Sequence, residues 1–258
     1  MFLKDDIATF FNTQGYAQTS LLKASEVDDL LSLFKQTASF SGVENKAFFT
    51  SIWSENEAYR KAVDGGLKEI LEPALSRQIK EFQSIFANFM VKNAGDNSQL
   101  QPHQDWSFVD ERKFQSMTIW IPLCDVDKSN GALEVYPGSH QINNFIRARF
   151  QNCPFQNEMQ DIRDNKMLSI AMKAGEALFV NSRTIHASPP NLSANQRLAV
   201  SIVVAPKSAN LLHFVLDKNN SSEAFELAIT SDFFTEYSCF DYPEIEEGTP
   251  KLSLIPRE

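Results

Sequence analysis

Gln101-Pro102-His103-Gln104-Asp105-Trp106 sets a histidine and an aspartate two residues apart. In an extended strand, residues i and i+2 point to the same face. One imidazole and one carboxylate then converge on a point. They make two-thirds of a 2-His-1-carboxylate site, the arrangement that suits non-heme Fe(II) and leaves three coordination positions open. The remaining histidine has to come from a strand that the fold brings alongside, and His186 is the candidate. A strand ends near Val180 in Phe179-Val180-Asn181-Ser182-Arg183-Thr184-Ile185-His186, and the histidine opens the next extended segment. His140 and His213 compete with it. His140 follows the turn residues Pro137-Gly138-Ser139, and His213 lies beyond the last clear strand. An H-x-D triplet alone also fits an exposed histidine beside a loop aspartate.

Further along, Gln196-Arg197-Leu198-Ala199-Val200-Ser201 puts Arg197, Ala199, Ser201 and Val203 on one face of a strand. An arginine on a small, inward-looking face is costly to bury without a partner. Either a dicarboxylate co-substrate pairs with it bidentately, or an internal acid does.

The chain around these residues has 258 positions, enough for one large domain, and an ordinary hydrophobic fraction of 43%. Its 21 phenylalanines suit a well-filled interior. A net charge of -9 argues against nucleic acid and against an anionic membrane surface as partners. The three scattered cysteines, Cys124, Cys153 and Cys239, form no C-x-x-C pair and point to a reducing compartment. The N-terminus carries acids where a signal peptide needs bases, and no apolar run reaches membrane-spanning length. The expectation is a cytoplasmic protein of undetermined oligomeric state.

No repeat or low-complexity linker divides the chain, so residues 1–258 read as a single domain. Helices are expected at 3–13, with Leu3, Ile7, Phe10 and Phe11 on one side, at 26–38, and over 55–81 with weak points at Gly65-Gly66 and Pro73. Short strands follow. Ile85–Lys92, Ser116–Leu123, Leu133–Tyr136, Leu168–Lys173, Ala177–Val180 and Arg197–Val204 carry the pattern. In Ser116–Leu123, Met117, Ile119 and Ile121 share one face, and Thr118 and Trp120 the other. The spacing predicts a mainly β sandwich or jelly roll over about 82–206, with helical support from 1–81 packed on one sheet. Residues 207–258 read as a C-terminal extension, acidic over 217–258, with Phe233, Phe234, Tyr237 and Phe240 as anchors onto the body.

The triplet His103-Gln104-Asp105, the segment Asn130-Gly131-Ala132-Leu133-Glu134-Val135-Tyr136-Pro137-Gly138-Ser139-His140, then His186-Ala187-Ser188 and Arg197, together resemble the phytanoyl-CoA dioxygenase family. The resemblance covers about residues 85–205. It implies a double-stranded β-helix and a dioxygenase that uses Fe(II), 2-oxoglutarate and O2. His103, Asp105 and His186 would bind iron. Arg197 would bind the distal carboxylate of 2-oxoglutarate, with Ser188 adding a hydrogen bond and Trp120 lining the pocket. Lys92 resembles a co-substrate-contacting lysine of some members; a solvated strand end is the other reading. The implied reaction is hydroxylation of an unactivated C–H bond of a small-molecule metabolite, with release of succinate and CO2. Asp105 argues against halogenation. Desaturation, epoxidation, cyclisation and a non-catalytic jelly-roll binding protein are the alternatives.

The insert at 141–166 interrupts the strand rhythm. It mixes Phe145, Ile146, Phe150 and Phe155 with Arg147, Arg149 and Arg163. Long loops in compact domains are functional lids or disordered. The expectation is a lid over the substrate pocket, with one of Arg147 and Arg149 turned inward to an anionic substrate group.

Overall fold

The computed structural model describes residues 1–37, 46–142, 145–240 and 243–254. The helices come first. α1 (Asp5–Gln14) buries Phe11 and stops at Gly15, whose φ of 81° only glycine adopts without strain. Leu3 and Phe10, expected on the buried side, are exposed. Leu3 precedes the helix, and Phe10 stands about 100° round from Phe11. β1 (Tyr16–Ser20) follows at once, where the sequence suggested only a break. α2 (Ala24–Thr37) matches the expected helix up to residue 37; residue 38 lies outside the described residues.

After β2 (Phe48–Thr50), Asn56 caps α3 (Glu57–Leu75) by accepting from the Tyr59 amide. Tyr59, Val63, Leu67, Leu71 and Ala74 recur at helical spacing and are buried. Gly65-Gly66 does not weaken the helix visibly. A Cβ on Gly66 would stand 2.9 Å from both Leu33 methyls, so the missing side chain lets α2 pack close.

The rest is mainly β, with a jelly-roll core as expected. The strands are β3 (Phe82–Lys92), β4 (Leu100–His103), β5 (Met117–Pro122), β6 (Glu134–Val135), β7 (Leu168–Ser169), β8 (Glu176–Asn181), β9 (His186–Ser188) and β10 (Arg197–Pro206). One antiparallel sheet runs β1-β8-β5-β10-β3-β2, and a smaller one runs β4-β9-β6-β7. β10 is buried from Arg197 to Ala205 because both its faces are covered. On the helix side, Leu198, Val200 and Ile202 join Met117, Ile119 and Ile121 against Leu67 and Leu71. On the other side, Trp120 and Ala199 pack with Val135, Leu178 and Val180. Each such large apolar side chain stabilises the fold by roughly 1.5–3 kcal/mol through burial.

The region after 207 carries strands of its own. β11 (Leu212–Asp217), β12 (Asn220–Ala228) and β13 (Lys251–Ser253) form a third antiparallel sheet. Phe233 and Phe234 are buried, whereas Tyr237 and Phe240 are exposed. The short helix Phe233–Glu236 turns only its first two aromatic rings inward. Arg60 of α3 holds that helix by donating to the carbonyls of Ser54, Thr235 and Glu236.

Residues 145–149 run extended beside β11, bridged in parallel at Arg149 and Val215. Phe155 and Ile162 pack on Ile185. No helix among the described residues is long and apolar enough to cross a membrane.

Candidate metal centre

β4 and β9 pair antiparallel with His103 directly opposite His186. The ring centroids are 4.3 Å apart. His103 Nδ1 donates to the carbonyl of Gln101 at 2.8 Å, and His186 Nδ1 donates to that of Thr184 at 2.9 Å. A carbonyl can only accept, so Nδ1 carries the proton in each ring and Nε2 keeps its lone pair for the centre. The strand ends at His103, so Asp105 lies in the loop beyond it and not on a pleat as the triplet suggested. Hydrogen bonding turns its carboxylate inward. Thr118 Oγ1 donates to Oδ2 at 2.6 Å, and Oδ1 stands 3.7 Å from His186 Nε2.

One ligand atom from each of His103, Asp105 and His186 lies within 4.8 Å of the others. Two imidazoles and a carboxylate on one side of a point fit a divalent transition metal with open positions, of the kind non-heme Fe(II) occupies. Burial, and then the neighbouring His186, push the His103 pKa down to about 4. The ring is therefore neutral, the form that ligates metal, at ordinary pH. His140 and His213 lie apart. His140 sits in the turn Ser139–Gln141 with Nε2 3.0 Å from the Asn12 carbonyl. His213 is fully buried on β11 among Trp106, Phe233 and Phe234.

The start of β10 faces the end of β3, with Arg197 opposite Lys92. Both are buried, at 2% and 0% exposure, which removes the solvated reading of Lys92. Among the described residues Arg197 meets no acid within ion-pair distance, and its Nε and Nη1 have no hydrogen-bond partner there. Trp120 Nε1 is also unpaired, and the guanidinium stands 5.4 Å from the Trp120 ring centroid. Lys92 Nζ donates to the carbonyls of Ser188 and Pro189. Burial, then the Arg197 charge, lower the Lys92 pKa to about 7; burial lowers that of Arg197 to about 10. A buried guanidinium with orphaned N–H groups, opposite a buried lysine, fits a dianion such as 2-oxoglutarate.

Arg147 and Arg149 are both buried, at 5% and 2% exposure, because the extended run 147–149 is covered on both sides. Arg147 pairs with Glu111 and donates to the carbonyls of Asp105 and Phe145. Arg149 Nη2 donates to the Ser238 carbonyl. These guanidinium groups are engaged with the protein itself.

A cavity of about 1190 Å³ opens at Ser107, two residues beyond Asp105. Val109, Phe114, Phe145, Leu212 and Phe214 line it, together with Glu111 and Arg183, though no triad side chain does. Much of its wall is the β11–β13 sheet, which sequence reasoning missed. Thr118 was partly legible, since strand alternation put it on the inward face with Trp120.

One contact supports the turn that carries His186. Thr184, whose carbonyl accepts from His186, donates through Oγ1 to the Gly15 carbonyl at 2.7 Å. A Cβ on Gly15 would stand 2.4 Å from Thr184 Oγ1 and 2.5 Å from His140 Nδ1. Gly15→Ala is expected to destabilise the fold by about 1–3 kcal/mol, as forced left-handed backbone does. Chemical denaturation measures it, and an unchanged midpoint and slope would show that this turn tolerates a side chain.

Comparison with known proteins agrees with this geometry. A phytanoyl-CoA dioxygenase of Arabidopsis thaliana is 34% identical over 119 residues, covering 45% of this chain and 42% of that protein. The chain spans less than half the length of the curated phytanoyl-CoA dioxygenases that it matches, 42% and 43%. Among solved structures, a non-heme alpha ketoglutarate dependent carbocyclase from nogalamycin biosynthesis superposes with a TM-score of 0.58 at 19% identity, over 81% of this chain and 86% of that one. HygX from Streptomyces hygroscopicus, with nickel and 2-oxoglutarate bound, gives a TM-score of 0.58 at 14% identity, over 80% and 88%. Residues 13–199 match the model of the phytanoyl-CoA dioxygenase family, which is most of the chain, and the protein belongs to that family.

Proposed function

We propose that this protein is an Fe(II)- and 2-oxoglutarate-dependent oxygenase that hydroxylates an unactivated C–H bond of a small molecule. The observation that supports it most is a buried Arg197, its Nε and Nη1 without partners among the described residues, standing opposite Lys92, whose ammonium reaches the Ser188 carbonyl two residues after His186, in a chain where His103, Asp105 and His186 converge. When bound, the metal and 2-oxoglutarate supply the oxidising chemistry with O2 and yield succinate and CO2. His103, Asp105 and His186 hold the metal on one side. Arg197 takes the far carboxylate of the co-substrate, with Lys92 and Ser188 at the same end and Trp120 as a wall. Thr118 keeps Asp105 oriented, and the Gln101 and Thr184 carbonyls keep both imidazoles in the ligating tautomer.

The cavity beyond Ser107 receives the prime substrate. Its 1190 Å³ exceeds the common range of roughly 300–1000 Å³ and suits a bulky molecule. The lid idea narrows to Phe145 and Ile146, the two described insert residues that line the wall.

The test is a succinate-release screen over a metabolite panel, with mass spectrometry of the products. Succinate release that depends on Fe(II), accompanied by a product heavier by one oxygen, is the expected result. A product lighter by two hydrogens would replace hydroxylation with desaturation or cyclisation. Tight 2-oxoglutarate binding with no succinate from any compound would favour a binding protein.

A further inference from the structure

We propose that Arg147, through its ion pair with Glu111, is a positioning residue for the metal carboxylate, tying the Asp105 loop to the wall of the cavity. The proposal rests on Asp105 being a metal ligand. Nothing in the triplet pattern explains how a loop residue keeps its carboxylate aimed. Arg147 Nε donates to the backbone carbonyl of Asp105 at 2.6 Å. Its Nη1 and Nη2 grip both carboxylate oxygens of Glu111, and Nη1 also reaches the Phe145 carbonyl. A fork-on-fork pair restrains both partners in angle as well as distance.

Ser107 completes the clamp. Its amide donates to the Arg147 carbonyl and its Oγ accepts from the Arg147 amide, both at 3.1 Å. The Ser107 hydroxyl itself donates to Glu111 at 3.2 Å. The loop from Asp105 to Glu111 is thus held at its first residue, its third and its last by a single arginine. Side-chain exposure is 5% for Arg147 and 15% for Glu111, so water competes little for these bonds.

The clamp is anchored on its far side. The Arg149 amide donates to Phe214 at 2.7 Å, and its carbonyl accepts from Leu216 at 3.0 Å, which fastens 147–149 to β11. Glu111 also lines the cavity. One ion pair therefore joins the backbone of Asp105, the insert and the cavity wall, and a ligand that presses on Glu111 acts on the Asp105 backbone through Arg147. An anion-binding role for Arg147 would require breaking this clamp.

The test uses Co(II) in place of Fe(II), titrated into the full chain and followed by its visible spectrum. Arg147→Lys keeps the charge and loses the fork. Glu111→Gln keeps the shape and loses the charge. Both are expected to weaken Co(II) binding roughly tenfold to a hundredfold, as loss of groups that orient a ligand does, and to alter the bound spectrum. Arg60→Lys is the control. Arg60 is equally buried and bonds three backbone carbonyls, none of them in the 105–111 loop, so this variant should keep wild-type Co(II) affinity. If Arg147→Lys does not fold, Glu111→Gln decides alone. Wild-type affinity and spectrum in the Glu111 variant would overturn the proposal, as would an equal loss in the Arg60 control. Failure of the wild-type protein to bind Co(II) would overturn the metal reading itself and this one with it.

Discussion

Alanine at His103, Asp105 or His186 is expected to lower Fe(II)-dependent succinate release by about a thousandfold or more, equivalent to about 4 kcal/mol of lost transition-state stabilisation. Each side chain would supply one of the three donors that converge among the described residues, and a two-donor site neither holds a metal firmly nor fixes which positions stay open. The fold should survive, because none of the three belongs to an apolar core cluster. A second signature separates His186→Ala from general damage. Burial and then His186 hold the His103 pKa near 4, so removing His186 should raise it, and NMR titration of the His103 ring reads this directly. His140→Ala is the contrast, since its ring bonds to Asn12 at another face of the turn. Retained metal binding in His186→Ala together with lost binding in His140→Ala would reassign the ligand.

Arg197→Ala is expected to raise the KM for 2-oxoglutarate about tenfold to a hundredfold, the weight of a charge-assisted hydrogen bond of roughly 1.5–3 kcal/mol. Metal affinity and the KM for the prime substrate should change little. The ligand-free protein should respond in the opposite sense. Arg197 is a buried cation with no acid beside it, so Arg197→Met relieves a desolvated charge and should raise the Tm without ligand. Lys92 adds a pH dependence. Its pKa of about 7 leaves it mostly neutral at pH 8 in the free protein. An incoming dianion favours the ammonium form, so binding at pH 8 should take up a proton, and affinity should fall as pH rises above 7. Calorimetry in two buffers of different ionisation enthalpy counts the protons. An unchanged 2-oxoglutarate KM in Arg197→Ala would move the carboxylate site elsewhere.

Much of this was readable along the chain. Helical spacing in α3 and strict alternation in β5 report which side of an element meets the core, and that depends on neighbours only two to four residues away. The same alternation separated Trp120 and Thr118 from Ile119, and the structure puts Ile119 on the helix side and Trp120 on the other. The family resemblance rested on short motifs, each held within one strand and its turn.

Contacts between distant segments were not readable in that way. Whether His186 or His140 faces His103 is a question of register between β4 and β9, and register is set by which strands pair and how their buried faces align. The fate of an arginine depends on what stands opposite it. Arg197 and Arg147 both lie in extended runs, yet one meets Lys92 and no acid while the other meets Glu111. The third sheet escaped notice because β12 mixes Glu223 and Glu226 with Phe225 and Leu227, and half-buried strands of that composition look like solvated chain. Periodicity therefore determined the elements and their inward faces, since those follow from local geometry. Which charges are paired, which are left open for a ligand, and how large a cavity remains were decided by long-range packing, which brings together residues that the sequence keeps far apart.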